Sequence, residues 1–385
     1  MMTGKYKVLI VTSRWSIDGK DMDGGCLTAL NICEALSDAS TIDVLLPRFY
    51  DGMSSDIVNK TMFYDIEEEQ WENLYGPSRF EMRMKVSTSI AKAVLACIDN
   101  YEKIIVIHAF HAFGLCEMLT EKQLQKVVLF PMFLSESYNI SKENVPVSYT
   151  LQEINTLRKV GKIITPSTFE KNIILKDDRV NPNKIDVVPR YVGMEFKPRI
   201  IRNISTDIIQ LCYVGSIKKQ KQNHLVVYLA NELINRGINP KIHLVGPVHD
   251  EAEWLNLREL ISEENLDSNI CYHGVMSQKD LCTLLNRMHF IISISLCETF
   301  GRSVIEGLFL GLPAVVLNNA ICFREIMGLE NGVTFANDIE DMAKSLCSMW
   351  LDEQLYQLKS EQALKFSEKF AADKIVPLLK KSLIC

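Results

Sequence analysis

Short runs of β-branched and aliphatic residues alternate with longer amphipathic stretches along all 385 residues of this chain. That alternation is the pattern of parallel sheets wrapped by helices. In the first half the runs predict strands at Lys7–Thr12, Thr41–Leu46, Lys103–Ile107, Lys126–Phe130, Lys162–Thr165 and Lys184–Val188. In the second half they predict strands at Ile209–Val214, Lys241–Val245, Asn269–His273, Phe290–Ile294 and Pro313–Leu317. The runs are continuously apolar, as in strands covered on both faces. The expected fold class is α/β, with two doubly wound, Rossmann-like domains facing a central cleft. In such sheets a ligand lies beyond the carboxyl ends of the strands, so the loops after the strands are where chemistry is sought.

The length exceeds what one core usually fills, which supports two domains. A polar stretch from Arg199 to Asp207 places the seam after Phe196-Lys197-Pro198, giving domains at residues 1–198 and 199–367. Residues 368–385 read as a final amphipathic helix, with Lys380 and Lys381 in its last turns.

Composition narrows the function classes. At 47% hydrophobic and 23% charged residues the chain is ordinary globular protein. No apolar run reaches the roughly 18 residues that span a bilayer. The N-terminus runs directly into a strand-like stretch without signal-peptide architecture, so a cytoplasmic location is expected. A net charge of −6 argues against a nucleic-acid partner. It leaves room only for weak peripheral membrane contact. The 11 cysteines never form a CxxC pair and are expected as buried thiols, not as metal ligands or disulfides.

The run from Ser295 to Val316, SLCETFGRSVIEGLFLGLPAVV, carries the most chemistry. Glu298 lies in the loop past a strand, and Glu306 lies inside the helix that starts near Arg302. Thr299, Phe300 and Gly301 between them offer backbone amides, and Gly301 lets the chain approach a ligand without a Cβ in the way. The first amides of the helix, at Arg302 and Ser303, lack internal partners and suit a phosphate. Arg302 is unfavourable at a helix N-terminus unless an anion offsets it. Two carboxylates so placed fit a polyol, since each accepts several hydroxyl hydrogen bonds.

Glu298 and Glu306 match the E-x7-E signature of retaining GT-B glycosyltransferases, and the chain resembles glycosyltransferase family 4, the glycogen-synthase-like group. The resemblance implies that Glu298 contacts donor-sugar hydroxyls and Glu306 the nucleotide ribose. Gly311-Leu312-Pro313-Ala314-Val315-Val316 resembles the family's G-x-P-V-V stretch. The segment from Ile321 to Phe335, with Arg324-Glu325-Ile326 and Glu330-Asn331-Gly332, resembles its P-E-I…E-N-G-x-x-F ending.

Further positions extend the likeness. Gly215-Ser216 ends a strand and is followed by Lys218, Lys219 and Lys221, a phosphate-approach arrangement. It is similar to the family's G-R-x-x-x-x-K loop; Lys221 falls on the Lys, and Ser216 stands where the Arg would be. Gly24-Gly25, opening the helix Leu27–Leu36, matches a Gly pair that in the family lies under the donor phosphates and the acceptor. His108-Ala109-Phe110-His111 resembles the H-D-W-H turn, which makes His108 the residue nearest the donor sugar and His111 the second choice; Ala109 replaces the acid. Pro131 to Tyr138 is expected to line the acceptor side. Val187 to Pro198 resembles the V-P-N-G-V-D…F-x-P hinge, with Arg190-Tyr191 in place of Asn-Gly.

The resemblance implies a retaining, hexosyltransferase-like enzyme that takes a sugar from a UDP-, GDP- or ADP-linked donor to a glycan, lipid-linked or small-molecule acceptor. No metal and no cofactor beyond the donor substrate are expected, and Glu298, His108 and Lys221 are the expected catalytic residues. A competing reading is a non-catalytic GT-B subunit that binds a nucleotide or a partner. On the first reading, Glu298→Gln should leave the affinity for bare nucleoside diphosphate almost unchanged.

Overall fold

A computed structural model describes residues 6–16, 24–50, 56–67, 79–193, 195–197, 204, 207–328 and 331–384. It divides into two compact units. The first comprises Met1–Pro189 with Val376–Cys385, and the second Arg190–Ile375.

Each unit is built on a wholly parallel sheet. The first sheet holds β1 (Tyr6–Val11), β2 (Ser40–Pro47), β3 (Lys60–Tyr64), β4 (Lys103–Ile107), β5 (Val127–Phe130), β6 (Lys162–Thr165) and β7 (Ile185–Val187), in the spatial order β3-β2-β1-β4-β5-β6-β7. The second holds β8 (Ile208–Val214), β9 (Asn239–Val245), β10 (Ile270–Tyr272), β11 (Phe290–Ser293), β12 (Ala314–Leu317) and β13 (Val333–Ala336), in the order β10-β9-β8-β11-β12-β13. In both, the order reverses once. The reversal lies between β1 and β4, where Val8 pairs with Lys103, and between β8 and β11, where Leu211 pairs with Phe290. In doubly wound sheets the loops leaving the carboxyl ends of such neighbours diverge to opposite faces, and ligands bind in the crevice between them.

The central strands are buried on both faces, as their apolar runs require; Ile104 to Ile107 and Phe290 to Ile292 are almost wholly inaccessible. β3 and β13 have no counterpart among the sequence-predicted strands. Both are sheet edges, and the polar or partly exposed positions in KTMFY and VTFA interrupt the apolar run. Each sheet has its own core, one running from Leu9 to Ile185 and the other from Ile204 to Tyr356.

Four helices of the second unit begin on a side-chain cap, in which Asp250, Ser277, Asp338 and Asp352 accept from amides of the first turn. The chain end is a 3-10 turn at Glu368–Phe370 followed by a helix at Ala372–Ile384, rather than one helix from Glu368. Its last turns are tied within the first unit: Lys380 Nζ bonds Asp38 at 2.7 Å, Lys162 Nζ donates to the Ser382 carbonyl at 2.7 Å, and the Ser382 hydroxyl donates to Asp186 at 2.5 Å. The ten described cysteines are free thiols, seven of them buried; Cys385 lies outside the described residues. Among the described residues no helix is long and apolar enough to cross a membrane.

Candidate functional site

The reversal point of the second sheet gathers most of the sequence-predicted residues. β8 runs into Gly215 and Ser216, and the chain then makes a short 3-10 turn at Lys219–Lys221. Gly215 is confined: a Cβ there would lie 2.6 Å from the Tyr213 hydroxyl, and its amide donates to the Val245 carbonyl at 2.8 Å. The turn is clasped from the neighbouring loop, where the Leu296 amide donates to the Gln220 carbonyl at 3.0 Å. That clasp brings Lys221 to Glu298, and the two side chains form an ion pair, 16% and 21% exposed. Burial works against the Lys221 charge, but Glu298 and Tyr213 outweigh it and the ammonium is pushed up to about 12. Ser216 is partly exposed and Lys219 exposed.

Beyond Glu298 the chain turns into the helix Arg302–Phe309 through Gly301, whose backbone is left-handed at φ 73° and ψ 46°. The sequence suggested that Gly301 makes room for a ligand. The structure gives a different reason, since a Cβ there would lie 2.0 Å from the Phe323 ring. A left-handed backbone and a facing aromatic both demand glycine. The preceding Phe300 side chain belongs to the core, edge-on to Phe370 at 5.6 Å. Thr299 lies in the loop between Glu298 and Phe300 and is partly exposed.

Among the described residues no side chain caps this helix. Among the described residues the amides of Arg302 and Ser303 have no hydrogen-bond partner. They are open donors at the positive end of the helix. Arg302 leans along the helix to Glu306, with Nε 3.5 Å from Oε1, while its Nη1 is buried without a hydrogen-bond partner. Glu306 is 3% exposed. Burial raises its carboxyl to about 7, Arg302 pulling it down and Glu195 pushing it further up. Sequence reasoning gave no role to Glu195, Tyr213 or Phe323. They act on the site only through packing and charge across elements, which local pattern does not reveal.

The first unit repeats the placement. Gly24 and Gly25 open the helix Gly24–Leu36 after β1, and His108 follows β4, so all three lie at the reversal between those strands. Both loops border the segment after β5: the His108 amide donates to the Phe130 carbonyl at 2.9 Å, the Ala109 amide to Pro131 at 3.2 Å, and a Cβ on Gly24 would lie 3.8 Å from the Met132 side chain. His108 holds φ 76° and ψ 133°, a conformation that costs free energy in a side-chain-bearing residue. His111 is fully buried with Nδ1 against the Ile107 carbonyl. Its burial, together with His108 and Arg83, holds the imidazole well below its usual range and therefore neutral. Of the two histidines only His108 is partly accessible.

Residues 197–366 match the family Glycosyl transferases group 1. The fold of the chain is GT-B. Sucrose-phosphate synthase from Thermosynechococcus elongatus superposes with a TM-score of 0.79 at 13% identity, covering 98% of both chains. HepE of Anabaena, solved in complex with UDP and glucose, superposes with a TM-score of 0.72 at 14% identity over 98% of this chain and 99% of its own. An uncharacterized 41.2 kDa protein in the cps region of Klebsiella pneumoniae is 23% identical over 309 residues, 74% of this chain and 81% of its own length. Mannosylfructose-phosphate synthase of Agrobacterium fabrum is 23% identical over 53% of this chain, which spans 48% of that relative. Together the group 1 match and the GT-B fold support a glycosyltransferase.

Proposed function

We propose that the chain is a retaining glycosyltransferase that transfers a hexose from a nucleoside diphosphate sugar to an acceptor hydroxyl, with its donor bound in the second unit. The observation that carries this is the convergence at the β8/β11 reversal of Lys221, Glu298, Glu306 and the open Arg302 and Ser303 amides. Cationic and amide donors suit a diphosphate, and the carboxylates suit hydroxyls. Lys221 and the helix amides take the diphosphate and stabilise the charge that develops on it as the leaving group departs. Glu306 accepts from the ribose and Glu298 from the sugar hydroxyls. HepE was solved in complex with UDP and glucose, which makes a UDP-hexose the first donor to try.

The transfer on this reading needs no metal and no protein nucleophile: the acceptor attacks on the face that the diphosphate leaves, and the departing phosphate takes the proton. Gly24, Gly25 and His108, at the reversal of the first sheet, are assigned to the sugar and acceptor end, with Pro131 to Tyr138 beside them. The strained backbone of His108 is the support for that role.

Calorimetry with UDP, GDP and ADP and with their hexose conjugates tests the donor. Lys221→Ala is expected to cost about 2 kcal/mol in nucleotide affinity, the range for a lost charge-assisted bond. NMR of the anomeric proton in donor and product tests retention, and activity that survives a chelator tests metal independence. Nucleotide binding without turnover of any donor by the wild type would leave a non-catalytic subunit as the better reading.

A further inference from the structure

We propose that the Lys221–Glu298 pair makes the donor site selective for a nucleotide that carries its sugar over the bare nucleoside diphosphate. This rests on the donor reading above and adds to it a specificity device.

The pair is built into the loops. Lys221 closes a turn held by its own amide on the Lys218 carbonyl at 2.9 Å and by the Lys218 amide on the Asn223 side chain at 3.3 Å. The next residue, Gln222, is left-handed at φ 48°, and Leu296 bonds back to Gln220. Lys221 and Glu298 therefore meet because two backbone segments are tied together, not through chance rotamers. Both side chains are mostly out of solvent.

A diphosphate that recruits the Lys221 ammonium leaves Glu298 as a largely buried carboxylate without its cation, and sets that carboxylate beside new negative charge. Breaking one side of a buried pair is costly, because the remaining charge has neither water nor partner. Ser216, where a second cation would be expected, offers no charge to take the phosphate in place of Lys221. A sugar changes the balance, since its hydroxyls donate to Glu298 and replace the bonds that Lys221 gives up. The exchange of partners is complete only when nucleotide and sugar arrive together. After transfer the sugar is gone, the pair re-forms, and the spent diphosphate is released. The raised affinity of Lys221 for its proton agrees with a strong resting partner.

This reverses the effect expected of Glu298→Gln from the sequence. Removing the carboxylate charge frees Lys221, and bare UDP should bind about ten-fold more tightly than to the wild type. UDP-glucose should not gain, so the preference for the sugar-bearing form should collapse. In a Lys221→Gln background the same change should have little effect on UDP. Calorimetry on the four proteins, wild type, both single variants and the double variant, measures these affinities. UDP affinity that is unchanged or lower in Glu298→Gln, or an equal gain with and without Lys221, overturns the proposal while leaving the donor site in place. The wild type gives a check that needs no variant: UDP-glucose should bind more tightly than UDP, and the opposite order refutes the exchange. A wild type that binds no nucleotide at all refutes the donor reading itself.

Discussion

Gly301 carries two constraints at once, and its replacement should show both. Gly301→Ala places a methyl at a positive φ and against Phe323, so a loss of about 3 kcal/mol is expected from strain and overpacking together. Denaturant unfolding of the second unit would measure it. Glu306 gives a pH signature. Its carboxyl is raised from 4.5 to about 7, so between those values the native protein keeps a proton that the unfolded chain has released. Stability then falls as pH rises through that window and is level above it. Glu153, raised to about 7 by burial in the first unit, adds a slope of the same sign. Glu306→Gln should flatten the dependence in part and Glu153→Gln should remove much of the rest, as read by denaturant midpoints from pH 5 to 8. Nucleotide affinity should move the other way, rising through about pH 7 as Glu306 becomes an acceptor for ribose hydroxyls, and Glu306→Gln should abolish that rise. His108→Gly relieves the backbone and should stabilise by up to about 1 kcal/mol while depressing transfer. Spacing along one loop and helix made Glu298 and Glu306 legible in the sequence. Their partners were not, because the Lys221–Glu298 pair joins loops 77 positions apart and the Gly301–Phe323 contact depends on packing.

At the scale of elements, apolar runs identified eleven of the thirteen described strands, with β4 and β6 matched to the residue. Of the four edge strands β7 and β10 were found, whereas β3 and β13 escaped, the runs KTMFY and VTFA being broken by polar side chains. The Asp and Ser caps at Asp250, Ser277, Asp338 and Asp352 mark helix starts that the apolar runs did not locate. The helix Arg302–Phe309, which starts on glycine, was found through its carboxylates instead. That helix also lies unusually close to the sheet. A Cβ on Gly307 would meet Ile291 of β11 at 2.8 Å. Gly307→Ala should therefore destabilise by about 1–3 kcal/mol, although alanine is intrinsically the better helix former. Because Gly307 adjoins Glu306, nucleotide affinity should fall with it; calorimetry beside thermal unfolding would separate a shifted helix from an unaltered one.

Over the whole molecule, the same reversal of strand order recurs in both sheets, and each unit carries its proposed binding residues at that place. The two units are not equally continuous in sequence. The first draws on Val376–Cys385 as well as Met1–Pro189. Deleting residues 376–385 should remove the bonds to Asp38, Lys162 and Asp186, and hydrogen exchange should show faster amide exchange in β6 and β7, with the β8–β13 sheet protected as before. On the ribosome the same arrangement sets an order of events. The second unit has all its residues as soon as its stretch emerges, whereas the first, although its sheet and core residues are synthesised earlier, waits through the making of its neighbour for the terminal segment that bonds Asp38, Lys162 and Asp186. The amino-terminal unit is thus the last to be finished, and a stalled or shortened translation product would present it as an unfinished body to chaperones and proteases.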